Sequence, residues 1–163
     1  MVIRPSIRAD LESITQIYND ILLHSTAIYR DVPFTLADRT EWWESQRSRG
    51  YPVLVAEVEG AIGGFATLSD FRTWPGYRFT VEGTIHLGKE ARRKGTGTAL
   101  LKELIASARS LGKHMLIAGV DSDNAASLQF LEKNGFVRAA HLREVGYKFG
   151  RFLDLVLLQY RLS

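Results

Sequence analysis

Residues 91–101, ARRKGTGTALL, place Arg92, Arg93 and Lys94 and then Gly95 and Gly97 directly ahead of an apolar helical run. Backbone N–H groups at a helix N-terminus have no partners inside the helix and lie at the positive end of its dipole, so a glycine-rich entry can close around a phosphate. Two known phosphate loops do not fit. No G-x-x-x-x-G-K-[ST] is present, and the dinucleotide fingerprint needs Gly or Ala where Leu100 stands. On this stretch alone, an anion cradle and a solvated basic turn are equally good readings.

The flanking elements set what such a loop could serve. Ahead of it, RPSIRADLESITQIYNDILLHS reads as a short strand and then a helix, with Leu11, Ile14, Tyr18, Ile21 and Leu22 at helical spacing behind Asp10 as N-cap. In TLADRTEWWESQRSRG, Thr35 and Asp38 have the spacing of a capping box, and Gly50 is placed to end a second helix. PVLVAEVEGAIGGFATLSDF reads as two strands turning at Glu59-Gly60 and FTVEGTIHL as a third, an antiparallel meander. Behind the loop, Leu101, Leu104, Ile105, Ala108 and Leu111 form one apolar stripe that Gly112 ends. HMLIAGVD reads as a buried strand, and NAASLQFLEKNG as a short helix with Asn124 as its cap. FVRAAHLREVGYKFGRFLDLVLLQYRL reads as two strands around a glycine-containing loop. One α+β domain spanning residues 1–163 is expected.

Composition bounds the function classes. With 163 residues, 45% of them hydrophobic, the chain can bury a substantial core. No apolar stretch approaches the roughly 20 residues that cross a bilayer, and MVIRPSIRADLES lacks the apolar run of a signal peptide. A soluble cytoplasmic protein with no membrane role is expected. The absence of cysteine removes disulfides, thiolate metal sites and cysteine nucleophiles. His24, His86, His114 and His141 show no metal-ligand spacing, so no metal is expected. A net charge of +3 with scattered cations argues for a local anion site rather than a nucleic-acid surface.

Arg92-x-x-Gly95-x-Gly97, with a strand before it and an amphipathic helix after it, resembles the signature of the GNAT family of acetyl-CoA-dependent N-acetyltransferases. The order of elements is similar along nearly the whole chain. The resemblance implies the GNAT fold: α+β in three layers, with a mixed, mostly antiparallel central sheet flanked by helices. In that fold two adjacent parallel strands splay apart and the pantetheine arm of coenzyme A inserts between them. It implies acetyl-CoA as cosubstrate, its pyrophosphate on a cradle formed by Arg92, Arg93, Lys94, Gly95, Thr96, Gly97 and Thr98. Main-chain groups of Ile85, His86 and Leu87 are expected along the pantetheine and thioester. Asn124 matches the position that hydrogen-bonds the pantetheine, and a plain helix cap explains it equally well.

A narrower resemblance is to the phosphinothricin and methionine sulfoximine acetyltransferases, a branch acting on the α-amino group of small amino-acid analogues. IYNDI, FR with TVE ten residues on, IAGVDSDNAAS and VGYKFGRFLDL carry it. Gly83 and Phe152 depart from it, where the branch often has His and usually has Trp, so a pocket of different shape is expected. An ammonium must lose a proton before it can attack a thioester. Such a site needs a base near the amine and a cation for the carboxylate. Glu82, on an otherwise apolar strand, is the candidate base, directly or through one water. The competing reading, an ion pair to a structural arginine or a solvent-facing position, is outweighed by its match to TVE. Arg72 is the candidate carboxylate clamp, since guanidinium grips carboxylate in a bidentate fork. Phe34, Trp74 and Tyr77 are candidate pocket walls, and ordinary core or surface packing is the alternative for each. Leu131 stands where many GNAT proteins have a Tyr that protonates the departing thiolate, so no general acid is assigned. Tyr147 and Lys148 are expected in the pocket or against a second subunit. The branch's homodimers find a candidate surface in DLVLLQYRL, which a buried strand explains as well. Acetylation of a protein N-terminus or a polyamine, and a non-catalytic CoA sensor, are the competing functions.

Overall fold

The computed structural model describes residues 1–163. Strand β1 (Val2–Pro5) leads into α1 (Leu11–His24) and α2 (Leu36–Ser48), followed by β2 (Val53–Val58), β3 (Ala61–Asp70) and β4 (Thr80–Leu87). Then come α3 (Thr96–Ser110), β5 (Met115–Asp121), α4 (Ala125–Lys133), β6 (Val137–Lys148) and β7 (Arg151–Arg161). The strands join one seven-stranded sheet in the order β1-β2-β3-β4-β5-β7-β6. Every neighbouring pair is antiparallel except β4 with β5.

Strand alternation feeds two cores, one on each face. Val53, Val55 and Phe65 pack with Leu11, Ile14 and Trp43 of α1 and α2. Leu54, Ala56, Ala66 and Leu68 pack with Leu100, Leu101, Leu104 and Ala108 of α3 and with Leu128 and Leu131 of α4. The expected three layers are therefore present. The apolar stripe of α3 is offset from the expected one: Leu100 is fully buried and Leu111 is exposed. The helix ends at Ser110, and Gly112 turns the chain away at φ 68°.

The capping box of α2 forms as read, with Thr35 Oγ1 accepting from the Asp38 N–H at 3.1 Å and Asp38 Oδ2 accepting from the Thr35 N–H at 2.8 Å. Asp10 behaves differently. Its carboxylate caps no N–H of α1; it accepts from the Ile7 N–H at 2.8 Å and pairs with Arg4 at 2.8 Å, tying β1 to the start of the helix. No helix is long and apolar enough to cross a membrane.

Candidate active site

Strands β4 and β5 pair only over Thr80, Val81 and Glu82 against Met115, Leu116 and Ile117. Beyond that point β4 runs on to Leu87 and β5 to Asp121 without pairing to each other. The sheet opens there, and Ile85, His86 and Leu87 form one edge of the gap. Main-chain donors and acceptors that a ladder does not use need other partners. An extended, amide-bearing ligand laid along this edge supplies them.

At the open end of β4 the chain enters the glycine loop. Arg93 at φ 59° and Gly95 at φ 79° both adopt left-handed backbone, which costs the arginine about 1 kcal/mol. The ladder of α3 begins with the Ala99 N–H on Gly95 O, so the N–H groups of Thr96, Gly97 and Thr98 have no intrahelical acceptor. The buried hydroxyl of Thr96 also lacks a partner. A Cβ added at Gly97 would stand 3.4 Å from side-chain atoms of Leu87 and Phe130. Free amides at a helix N-terminus, a left-handed loop and the exposed cations Arg93 and Lys94 suit a pyrophosphate. Arg92 also braces the turn: its Nε and Nη2 donate to Leu87 O at 3.4 and 3.3 Å. Asn124 accommodates both of its readings. Its Oδ1 accepts from the Ser127 N–H at 3.1 Å as the cap of α4, while Nδ2 has no partner in the chain.

Glu82 lies on the α1/α2 face of the sheet with Thr84 and His86. Its carboxylate is half-buried and pairs with no arginine, and burial alone pushes its pKa up. A Cβ at Gly119 would come within 3.6 Å of Glu82 Oε1, so the missing side chain there keeps the carboxylate open toward the gap. Gly119 escaped the sequence reading, although a glycine inside an apolar strand was its signal. Gly83 faces the opposite way: a Cβ would stand 2.9 Å from Leu116 and 3.2 Å from Leu104. The departure at position 83 is therefore absorbed in the α3 core rather than in the space around Glu82.

Residues 25–35, between α1 and α2, are fixed from both ends. Asn19 Nδ2 donates to Phe34 O at 2.8 Å and Asn19 Oδ1 accepts from the Phe34 N–H at 2.9 Å, while Tyr18 meets the Phe34 ring edge-on at 5.4 Å. IYNDI thus holds Phe34 by backbone and by ring. At the other end, Lys148 is 1% exposed and its Nζ donates to Leu22 O and, at 2.8 Å each, to Ser25 O and Ile28 O. An ammonium has three donors, and here all three meet carbonyls at and beyond the negative end of α1. Lys148 therefore neither lines a pocket nor reaches a second subunit. Thr26 donates to the buried Asp121, and Tyr29 donates to Asp154 O at 2.9 Å while its ring fills the space a Cβ would need at Gly146. VGYKFGRFLDL is a clasp for this segment.

Arg72, Trp74 and Tyr77 sit on the connection between β3 and β4. Arg72 has no ion pair or hydrogen bond, and its guanidinium lies 5.3 Å from the Phe71 ring and 6.0 Å from that of Tyr77. Trp74 is 74% and Tyr77 40% exposed, so within one chain these two rings stand at the surface instead of enclosing a pocket. Phe152 is likewise exposed, edge-on to Tyr147 at 5.1 Å.

The side chain of His86 points away from the gap and is buried between Tyr18 at 5.4 Å and Phe65 at 5.3 Å. Burial, and then the nearby Arg39 charge, hold its pKa down at about 4. A histidine kept neutral in the fold contributes stability that is complete above its unfolded pKa of about 6.5 and is lost as pH falls toward the folded value. The expected loss is on the order of 3 kcal/mol across that window. Chemical denaturation of the wild type and of His86→Phe at several pH values checks this, with the variant expected to show the shallower acid decline.

Known proteins share the sequence and the fold over nearly the whole chain. The L-methionine sulfoximine/L-methionine sulfone acetyltransferase of Salmonella typhimurium is 42% identical over 163 residues, covering all of this chain and 95% of that protein. The phosphinothricin N-acetyltransferase of Alcaligenes faecalis is 38% identical, covering 94% of this chain and 79% of that protein. A Salmonella typhimurium acetyltransferase solved with acetyl-CoA superposes with a TM-score of 0.97 at 42% identity, over 100% of this chain and 94% of that one. Residues 11–136, which run from α1 through the splayed strands to the end of α4, match the acetyltransferase (GNAT) family, and the chain belongs to it.

Proposed function

We propose that the protein moves the acetyl group of acetyl-CoA onto the α-amino nitrogen of a small amino-acid analogue: methionine sulfoximine, methionine sulfone or phosphinothricin. The observation that carries this reading is Glu82, an unpaired, half-buried carboxylate beside the gap between β4 and β5. The activities of the relatives support the acceptor class. Acetyl-CoA supplies an acyl group already activated as a thioester. The amides of Thr96, Gly97 and Thr98, with Arg93, Lys94 and Gly95, hold its pyrophosphate; Arg92 closes the turn. Main-chain groups of Ile85, His86 and Leu87 and the free Nδ2 of Asn124 take the pantetheine. Glu82, its proton affinity raised by burial, removes the ammonium proton directly or through one water, and the freed amine attacks the thioester carbonyl as the C–S bond breaks. Leu131 is buried in the α3 core and has no proton to give, so the departing thiolate is protonated from solvent or leaves unassisted.

Arg72 grips the acceptor's carboxylate, and Phe34, Trp74 and Tyr77 flank it. A cation at Arg72 repels a polyamine. Arg72→Ala is expected to raise the acceptor KM about 10- to 100-fold while leaving the acetyl-CoA KM within about twofold, by steady-state kinetics in each substrate. The activity itself is read by thiol release from acetyl-CoA with phosphinothricin, methionine sulfoximine, methionine sulfone, polyamines and peptides. Release with the amino-acid analogues is expected; release with none of them overturns the reading.

The protein works in the cytoplasm, where acetyl-CoA is found, as a homodimer. In DLVLLQYRL, Val156, Leu158 and Leu162 are buried in the core, so a strand inside one chain accounts for those letters. Support comes instead from Leu142, Val145, Tyr147, Phe149 and Phe152, exposed on the β6/β7 hairpin.

A further inference from the structure

Arg39 is 4% exposed and forms no ion pair and no side-chain hydrogen bond; its Nε and Nη2 are buried without an acceptor. Its surroundings are rings. The guanidinium carbon lies 4.2 Å from the centroid of Tyr18 on α1, 4.5 Å from that of Phe34 on the connecting segment, and 4.6 Å from that of Trp42 on α2. The contrast with Lys148 is sharp: that buried cation fills every donor with a carbonyl, whereas Nε and Nη2 of Arg39 meet no acceptor.

Stability does not explain such a residue. Contact with aromatic faces offsets part of the desolvation of a cation, yet an apolar side chain of similar length in the same place is commonly neutral or stabilising. A position that departs from the rules of a stable core is where a functional demand is expected. Of the three rings, Phe34 alone lies outside regular structure, and its backbone is already fixed by Asn19. Tyr18 meets that ring edge-on, and what remains to be held is its face. Arg39 packs against it, with Arg30 a further 3.9 Å contact from the exposed side chain of the same segment.

We propose that Arg39 is a positioning residue for the acceptor wall, retained at a cost in stability because its guanidinium locks the Phe34 ring between α1 and α2. This rests on the reading above that Phe34 flanks the acceptor. It assigns Arg39 an effect on acceptor binding and none on the acetyl-CoA cradle, which lies across the sheet at the start of α3.

The test compares the full-length protein with Arg39→Met, which keeps length and loses charge, and Arg39→Lys, which keeps charge and loses the flat stacking group. Three readouts are taken: thermal midpoint, amide hydrogen exchange over residues 26–35, and steady-state kinetics in each substrate. For Arg39→Met we expect a midpoint unchanged or raised, exchange in 26–35 faster by about tenfold, and an acceptor KM raised by about tenfold with the acetyl-CoA KM within about twofold. Arg39→Lys should fall between the two. A Met variant that melts lower than the wild type, or does not fold, overturns the proposal, because the charge would then be stabilising. So does a Met variant with wild-type exchange and wild-type acceptor KM. If the wild type acetylates no amino-acid analogue, the functional reading fails by itself, and exchange and midpoint still decide the role of Arg39.

Discussion

Glu82→Gln is expected to lower kcat/KM for the amine by about 10²- to 10³-fold near neutral pH, the range that removal of a positioned general base commonly costs. Gln keeps the shape and the neighbours of the carboxylate, including the open space over Gly119, and removes only its ability to take a proton. The loss should shrink as pH rises past the amine's own pKa, because free amine then no longer needs the enzyme to make it. The direction of the Glu82 shift sharpens the profile. Burial raises its pKa, so the wild type loses its base at a higher pH than an exposed glutamate would, and its acid limb should sit correspondingly high. Rates measured for both proteins across the same pH range check this. Parallel profiles would remove Glu82 from the base role.

Gly97→Leu should raise the acetyl-CoA KM by about 100-fold, the second large effect, through displacement of the α3 N-terminus. A bare Cβ at this position already reaches contact distance from Leu87 and Phe130, so Ala fits and a branched chain does not. Either Phe130 or the first turn of α3 must move, and the amides of Thr96, Gly97 and Thr98 move with it. Gly97→Ala, with an acetyl-CoA KM within about threefold of wild type, is the control that separates crowding from loss of glycine as such. Titration calorimetry with coenzyme A reads the same effect without turnover.

Local signals in the chain accounted for much of the fold. Thr35 with Asp38, Gly50, Glu59-Gly60, Asn124 and Asn134-Gly135 each act within a few residues, and each marks an element end in the structure. The glycine loop was legible for the same reason: αL backbone at Gly95 and free amides in the next turn are properties of one short stretch. What could not be read depended on distant pairing. The opening of the sheet after Glu82 follows from the register of β4 against β5, two strands separated in sequence by α3. Asp10 looked like a cap until Arg4 and the Ile7 N–H claimed its carboxylate. Lys148 looked like a pocket residue because its carbonyl partners lie more than a hundred positions away, at the end of α1. Trp74, Tyr77 and Phe152 show the reverse limit: their letters matched a pocket, and within one chain their rings face outward.

The proposed transfer from acetyl-CoA to an α-amine is direct, with no acetyl-protein intermediate. It is tested most directly by mixing excess protein with ¹³C-acetyl-CoA and methionine sulfone in a single turnover, and following the label by NMR alongside thiol release. The label is expected in an amide on the α-nitrogen of methionine sulfone at the rate of thiol release, with none held on the protein. Label that accumulates on the protein first, that appears only as acetate, or that stays on coenzyme A would contradict it.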